Sequence, residues 1–292
     1  MRGTRGKQPY VLPRTPRRIA GWFGRNWARL HYARRIEPTW LEVNSLDVSI
    51  PSLPEALSGL RIVQLSDFHF KKRLDPNYIR HSIELAQRCE PDLIALTGDF
   101  VHKGYSFVEP IAELLGELRA PLGVFAVLGN HDYAVRNALG IRRYPRLHLA
   151  IHRSLSKHKI RVLRNESVTL RHNGAELAVA GVDDLWSRSC DVARTLGDVP
   201  EGVPRIVLAH NPKTIELLDD HRCDLMLSGH THGGQVTFGH SKSPLLRRRA
   251  FRAGLYCHRG KHLYVNKGIG HGIRLRYRTR PEVALLQLTA AR

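Results

Sequence analysis

The sequence predicts an α/β fold, a two-sheet sandwich, on three observations. Short apolar runs recur along the 292 residues, with helix-like segments between them. The runs are nearly continuous in apolar character, as strands are when both of their faces are covered. Five of them end on a carboxylate, amide or imidazole side chain, and open α/β sheets bind ligands beyond the carboxyl ends of their strands.

The first element along the chain is basic. Residues 1–36 hold ten Lys/Arg and no Asp/Glu, half of a formal net charge of +20. Pro9, Pro13 and Pro16 mark residues 1–16 as an extended arm. Residues 17–33 draw as a helix with Ile19, Trp22, Phe23 and Leu30 on one face and Trp27 at its margin. Arg17, Arg18, Arg25, Arg29 and Arg35 lie opposite. A basic helix with that apolar face is the pattern of an interfacial anchor on an anionic membrane. Two other readings compete: the aromatic face packs on the body of the protein, or the arm binds nucleic acid non-specifically. The aromatic stripe argues for an interface, so no stable nucleic-acid complex is expected. Residues 1–36 therefore read as a basic arm with an amphipathic helix, and residues 37–292 as one domain.

Within that domain, residues 61–66 run into Asp67 and His69, and 93–97 run through Gly98 into Asp99. Residues 124–128 lead through Gly129 to Asn130, His131 and Asp132. Residues 205–209 end on His210, and 225–228 lead through Gly229 to His230 and His232. Helices are expected at about 75–89, 107–119, 146–159 and 213–220, while 168–182 and 254–266 alternate as strands do. Arg274, Arg276, Arg278 and Arg280 alternate with Ile273, Leu275, Tyr277 and Thr279, which predicts a strand with four guanidinium groups on one face. With Lys71, Lys72 and Arg73 they would give polyanionic substrates a positive approach.

Asp67, His69, Asp99, Asn130, His210, His230 and His232 offer two carboxylates, one amide oxygen and four imidazoles. A lone Asp or His after a strand is usually a cap or a solvated loop residue, but five repeats of one placement are not explained that way. The donor set suits two divalent cations sharing a ligand. It does not suit one structural zinc, which takes four ligands and is usually rich in thiolate. Imidazoles favour transition metals over Mg²⁺ or Ca²⁺, so Mn, Fe or Zn is expected. Paired cations about 3.5–4 Å apart present hydroxide at neutral pH and neutralise phosphate oxygens, which is chemistry for phosphorus esters. Asp99 would turn one oxygen to each ion. His131 is the candidate to protonate the leaving oxygen, with Asp132 holding its ring. His102 and His271 are the other histidines expected nearest to substrate.

The order Asp-x-His, Gly-Asp, Gly-Asn-His-Asp, His, Gly-His-x-His is complete over residues 60–235 and resembles the calcineurin-like metallophosphoesterase superfamily. Residues 57–62, 227–235, 264–270 and 280–283 are similar to its bacterial YkuE/YaeI-type phosphodiesterase branch, over about residues 37–290. The resemblance implies a four-layer sandwich of two mixed β-sheets flanked by helices, in which 37–292 is the catalytic domain. It implies Asp67, His69 and His232 at one metal position and Asn130, His210 and His230 at the other, bridged by Asp99. His131 matches the non-ligand histidine over the substrate phosphate. Many members of the branch begin with a transmembrane or twin-arginine export segment. Here Arg25 and Arg29 interrupt the apolar stretch, and no segment approaches the roughly 20 apolar residues that span a bilayer. A cytoplasmic protein, peripheral on the inner face of the membrane, is expected.

Cys89, Cys190, Cys223 and Cys257 form no CxxC pair and are expected to be free, and there is no phosphate-cradling GxxxxGK[ST] loop. The expected function is hydrolysis of phosphodiester or pyrophosphate bonds by metal-activated hydroxide. The expected substrate is membrane-associated or lipid-linked, such as the UDP-2,3-diacylglucosamine that some superfamily members cleave. A broad nucleotide or nucleic-acid phosphodiesterase is one alternative. A non-catalytic membrane- or nucleic-acid-binding protein with a structural metal site is another.

Overall fold

The computed structural model describes residues 26–51, 53–135, 144–235 and 251–291. Its twelve strands are β1 (Glu42–Ile50), β2 (Arg61–Leu65), β3 (Leu93–Leu96), β4 (Val124–Ala126), β5 (Arg161–Val162), β6 (Glu166–His172), β7 (Ala175–Gly181), β8 (Arg205–Leu208), β9 (Leu225–Ser228), β10 (Gly254–His258), β11 (Lys261–Val265) and β12 (Glu282–Ala290). They form two six-stranded sheets, ordered β1-β12-β2-β3-β4-β5 and β10-β11-β9-β8-β7-β6. Strands β2, β3 and β4 are parallel, as are β7, β8, β9 and β11. The first sheet is mixed because β12 runs antiparallel to β2, and the second because its two outer hairpins are antiparallel.

Alternation along the strands builds the layers. Ile62, Leu93, Ala95 and Phe125 of the first sheet meet Val179, Ile206, Leu208 and Leu227 of the second in one core. Their neighbours Val63, Leu65, Ile94 and Leu96 face outward under α1 (Pro76–Arg88), α2 (Val108–Leu115) and α3 (Leu147–Lys157). On the opposite outer face, Ala180, Val207, Met226 and Val265 pack with α4 (Val192–Leu196) and the 3₁₀ helix Pro212–Leu218. The order helix, sheet, sheet, helix is the expected four-layer sandwich.

Local chemistry sets the element ends. Asp75 caps α1 by accepting from Asn77 N–H at 2.9 Å, with Pro76 at the first helical position. Residues 168–182 are not one strand but most of a hairpin, β6–β7, that turns at left-handed Asn173 and Gly174. The 254–266 segment is likewise the hairpin β10–β11, turning at left-handed Arg259 and Gly260. The helix expected at 213–220 is 3₁₀ and begins at Pro212.

Two expectations need correction. Residues 273–280 are not a strand. Arg276 N–H donates to the Ala33 carbonyl and Tyr277 N–H to the Gln235 carbonyl, so no ladder forms. Arg276 is fully buried while Arg274 and Arg278 are exposed, so the four guanidinium groups share no face. Lys71 does not point toward an incoming anion either. Its ammonium donates to the carbonyls of His271 and Gly272 at 2.6 and 2.9 Å.

The arm is described from residue 26, so Ile19, Trp22 and Phe23 lie outside the described residues. Residues 26–31 are helical and continue into one π turn, Tyr32–Ile36. Trp27 and Leu30 are exposed, whereas Ala33 and Glu37 are buried under the 276–280 loop. Among the described residues no helix is long and apolar enough to cross a membrane. All four cysteines are free.

Glu109 ties α2 to α3 by accepting from Ser154 Oγ at 2.6 Å, Lys157 Nζ at 2.7 Å and His158 Nε2 at 3.3 Å. Those bonds, Lys157 first, pull its pKa down to about 2. The stabilisation is therefore present above the ordinary glutamate value of 4.5 and fades as pH falls toward 2. Glu109→Gln should lower the urea midpoint at pH 7 but have little effect near pH 2, which parallel melts at the two pH values would check.

Candidate metal centre

All seven predicted donors gather at the carboxyl ends of β2, β3, β4, β8 and β9. Asp67, His69, Asp99, Asn130, His210 and His232 are buried, and His230 is partly exposed. They fall into two groups. In the first, His69 Nε2 lies 2.9 Å from His232 Nε2 and 3.9 Å from Asp67 Oδ1, and His232 Nε2 lies 3.5 Å from the same Oδ1. In the second, His230 Nδ1 lies 3.0 Å from Asn130 Oδ1 and 3.2 Å from His210 Nε2. Asp99 Oδ2 faces both groups, 3.5 Å from His69 Nε2 and 3.4 Å from His210 Nε2. The expectation that each Asp99 oxygen serves a different group is corrected by this geometry. One oxygen serves both, and Oδ1 accepts the His131 N–H at 2.9 Å.

The remaining polar atoms of several donors are held, which aims their donor atoms. Ser66 Oγ and His230 N–H donate to Asp67 Oδ2 at 2.7 and 3.0 Å. Asn130 Nδ2 donates to the Val135 carbonyl at 2.7 Å, turning its amide oxygen toward His230. His210 Nδ1 donates to the Thr97 carbonyl at 2.7 Å, so its Nε2 carries the lone pair in the neutral ring. Behind His232, the buried Arg276 guanidinium donates to the carbonyls of Gly270, Gly268 and Thr279 at 2.7, 3.0 and 3.2 Å. One of its nitrogens reaches within 3.5 Å of His232 Nδ1.

Five of the seven donors have a left-handed backbone: Asp67 (φ 54°), His69 (45°), Asp99 (56°), His230 (72°) and His232 (50°). Side chains with a Cβ pay about 1–3 kcal/mol for such conformations, which persist only where the surroundings impose them. Two glycines permit the crowding. A Cβ on Gly129 would fall less than 3.0 Å from Asp99 Oδ1 and Asp99 N, and one on Gly229 less than 3.0 Å from Ser66 Oγ and Asp67 Oδ2.

Burial keeps His69 and His232 well below the usual histidine range and brings His230 down to about 3, leaving neutral rings with a free lone pair. Burial acts on His210 too, but the Asp99 charge and hydrogen bond win and lift it to about 10. Burial raises Asp67 to about 6, and burial with the Asp99 charge raises Asp132 to about 8. Neutral imidazoles beside clustered carboxylates fit divalent transition-metal ions, which replace protons at such donors.

Asp132 is placed otherwise than expected. Its oxygens accept the N–H groups of Asp99, Phe100 and Gly129 at 2.8, 2.9 and 2.9 Å. The His131 ring is held by the His102 carbonyl, 2.9 Å from Nδ1, and sits 4.6 Å from the His69 ring. His271 is buried, and its carbonyl accepts from Lys71.

The calcineurin-like phosphoesterase family model matches residues 60–234. The chain belongs to the calcineurin-like phosphoesterase family. Its membership makes it a phosphoric ester hydrolase and implies divalent metal ions. The chain is 29% identical to the UDP-2,3-diacylglucosamine pyrophosphatase LpxG of Chlamydia trachomatis, over 88% of this chain and 92% of that protein. It is 32% identical to the phosphodiesterase YaeI of Escherichia coli, over 89% and 91%. It is 30% identical to the metallophosphoesterase YkuE of Bacillus subtilis, over 88% of each.

Two features of this phosphoesterase escaped the sequence reading. The run 177–182 ends on Asp183, Asp184 and Trp186, the same signature as the five recognised runs, and the Trp186 ring meets His230 edge-on at 4.5 Å. The other is Arg276, fully buried although nothing in its spacing signals burial.

Gly129→Ala should displace Asp99, lowering both metal content by elemental analysis and stability by about 1–3 kcal/mol in urea melts. Metal uptake should also weaken as pH falls, because the His210 proton, held up to about 10, must leave. Titration calorimetry in buffers of different ionisation enthalpy should record that proton release.

Proposed function

We propose that the chain hydrolyses phosphodiester or pyrophosphate bonds with two divalent cations, on a lipid-linked or membrane-associated substrate. The observation that carries the reading is Asp99 Oδ2, a single carboxylate oxygen shared by two donor groups. Asp67, His69 and His232 would hold one ion and Asn130, His210 and His230 the other, with Asp99 between them. Bound ions of this kind activate water and neutralise phosphate oxygens, and Mn, Fe and Zn all suit the donors.

The chain's own residues orient groups and handle protons. The His102 carbonyl can only accept, so His131 Nδ1 carries a hydrogen. His131 Nε2 is then the nitrogen left to give a proton to the leaving oxygen. Asp132 acts by pinning the loop that carries Asp99, through the Asp99 and Phe100 amides, to its own loop, through the Gly129 amide.

Two observations support the lipid-linked substrate. One is the pyrophosphatase of UDP-2,3-diacylglucosamine among the relatives. The other is the exposed apolar set Trp27, Leu30 and Ile36 interleaved with exposed Arg29, Arg34 and Arg35. Residues 1–36 would rest on an anionic membrane at its cytoplasmic face and present the catalytic domain, 37–292, to that surface.

The metal-loaded protein should cleave bis-p-nitrophenyl phosphate, and Asp99→Asn should lower turnover by more than about a hundredfold. His131→Ala should keep its metal but lose about 10²–10⁴ in rate on an ester with a poor leaving group. UDP-diacylglucosamine should outcompete cyclic nucleotides and single-stranded DNA; the reverse order would replace the lipid-linked reading with a nucleotide one. The full chain should float with anionic vesicles, and Trp27→Glu should weaken flotation.

A further inference from the structure

The cavity over the donor cluster is about 200 Å³, below the roughly 300–1,000 Å³ of pockets that enclose a whole small-molecule ligand. It takes a phosphate and the first atoms of its substituents, so the rest of a phosphodiester must leave over the rim. Among the described residues two large apolar side chains stand in its lining, Trp186 and Ile273. Trp186 is half-buried against His230, on the side of the second donor group. Ile273 is 69% exposed, so the described protein leaves most of it uncovered.

Three residues beyond Ile273, Arg276 N–H donates to the Ala33 carbonyl at 2.8 Å. Arg280 then donates to the carbonyls of Trp40 and Leu41 at 3.0 and 2.7 Å. Three residues of chain span at most about 11 Å, so Ile273 lies within about that distance of Arg276, whose backbone is bonded to the 26–40 segment. That segment exposes Trp27 by 69%, Leu30 by 50%, Ile36 by 46% and Trp40 by 50%. Arg274 and Arg278 are exposed on the adjoining loop. The loop that carries Ile273, Arg274 and Arg278 thus connects the rim of the metal cavity to a segment with an exposed apolar set of its own. That chemistry fits an anionic amphiphile. Ile273, on the cavity rim, is branched and aliphatic and offers a nucleobase neither a flat face nor a hydrogen bond.

We infer that Trp186 and Ile273 grip the aliphatic chain of an amphiphilic phosphodiester as it leaves the cavity, and that Ile273 passes it to the exposed face of residues 26–40. The inference rests on the phosphodiesterase reading and names its substrate class: a phosphate diester with an alkyl or acyl chain close to phosphorus.

The test uses the metal-loaded full chain and three p-nitrophenyl phosphodiesters below their micelle concentrations. They share one leaving group and differ only in the second substituent: methyl, phenyl or decyl. The decyl ester should exceed the methyl ester about tenfold in kcat/KM, the scale expected from burying a few methylenes. Ile273→Ser and Trp186→Ala should each shrink that ratio through KM, and Ile273→Leu should keep it. Equal kcat/KM for all three esters, a decyl preference that survives both variants, or a preference for phenyl over decyl would overturn the inference alone. Failure to cleave any of the three would overturn the phosphodiesterase reading and this inference with it.

Discussion

Asp67 and Asp99 are buried together where the carboxyl edges of two sheets meet, and the rest of the site answers that negative charge. Carboxylates removed from water need cations or dense hydrogen bonding. The chain supplies amide donors to Asp67 Oδ2 and Asp99 Oδ1 and leaves the other oxygen of each facing imidazole nitrogens. Three of the four imidazoles are held neutral by burial. The fourth, His210, is raised by the Asp99 charge and hydrogen bond against its burial. A cluster with this balance is made to exchange protons for metal ions.

Strain follows from the same requirement. Side chains that follow β2, β3 and β9 reach one point only if the chain turns sharply just after each strand, and five donors adopt left-handed backbone to do so. Asp132 and Ser66 hold two of these turns through hydrogen bonds to backbone and carboxylate. The tail loop braces the Asp67 turn again and one more: Ile269 N–H and Gly270 N–H donate to the Ser66 and Asp67 carbonyls at 2.8 Å, and Arg276 backs His232. The arm joins this brace through Ala33 and Glu37. A segment that reads as an appendage is thereby tied by backbone hydrogen bonds to the loop behind a proposed metal ligand.

The sequence made the donor strands and their donors legible because each lies within a few residues of its own apolar run. Helix ends were legible where capping was local, as at Asp75 and Pro76. The edge strand β1 and the inserted β12 were not anticipated, because the placement of β12 between β1 and β2 joins residues more than 200 positions apart. The alternating arginines misled for a related reason. Period two is the signature of a strand face, but a fully buried Arg276 finds its acceptors in Gly268, Gly270 and Thr279, which only the folded loop brings together.

By itself the sequence determined the family, the four-layer class and the identity of the seven candidate donors, all of which depend on local pattern. Tertiary structure decided how those donors are shared and aimed. It turned one oxygen of Asp99 to both groups, gave Asp132 to the backbone instead of to His131, and set Trp186 and Ile273 on the rim. Each of these depends on which atom of a side chain faces which neighbour. That is fixed by packing between elements distant in the chain, and residue spacing carries no record of it.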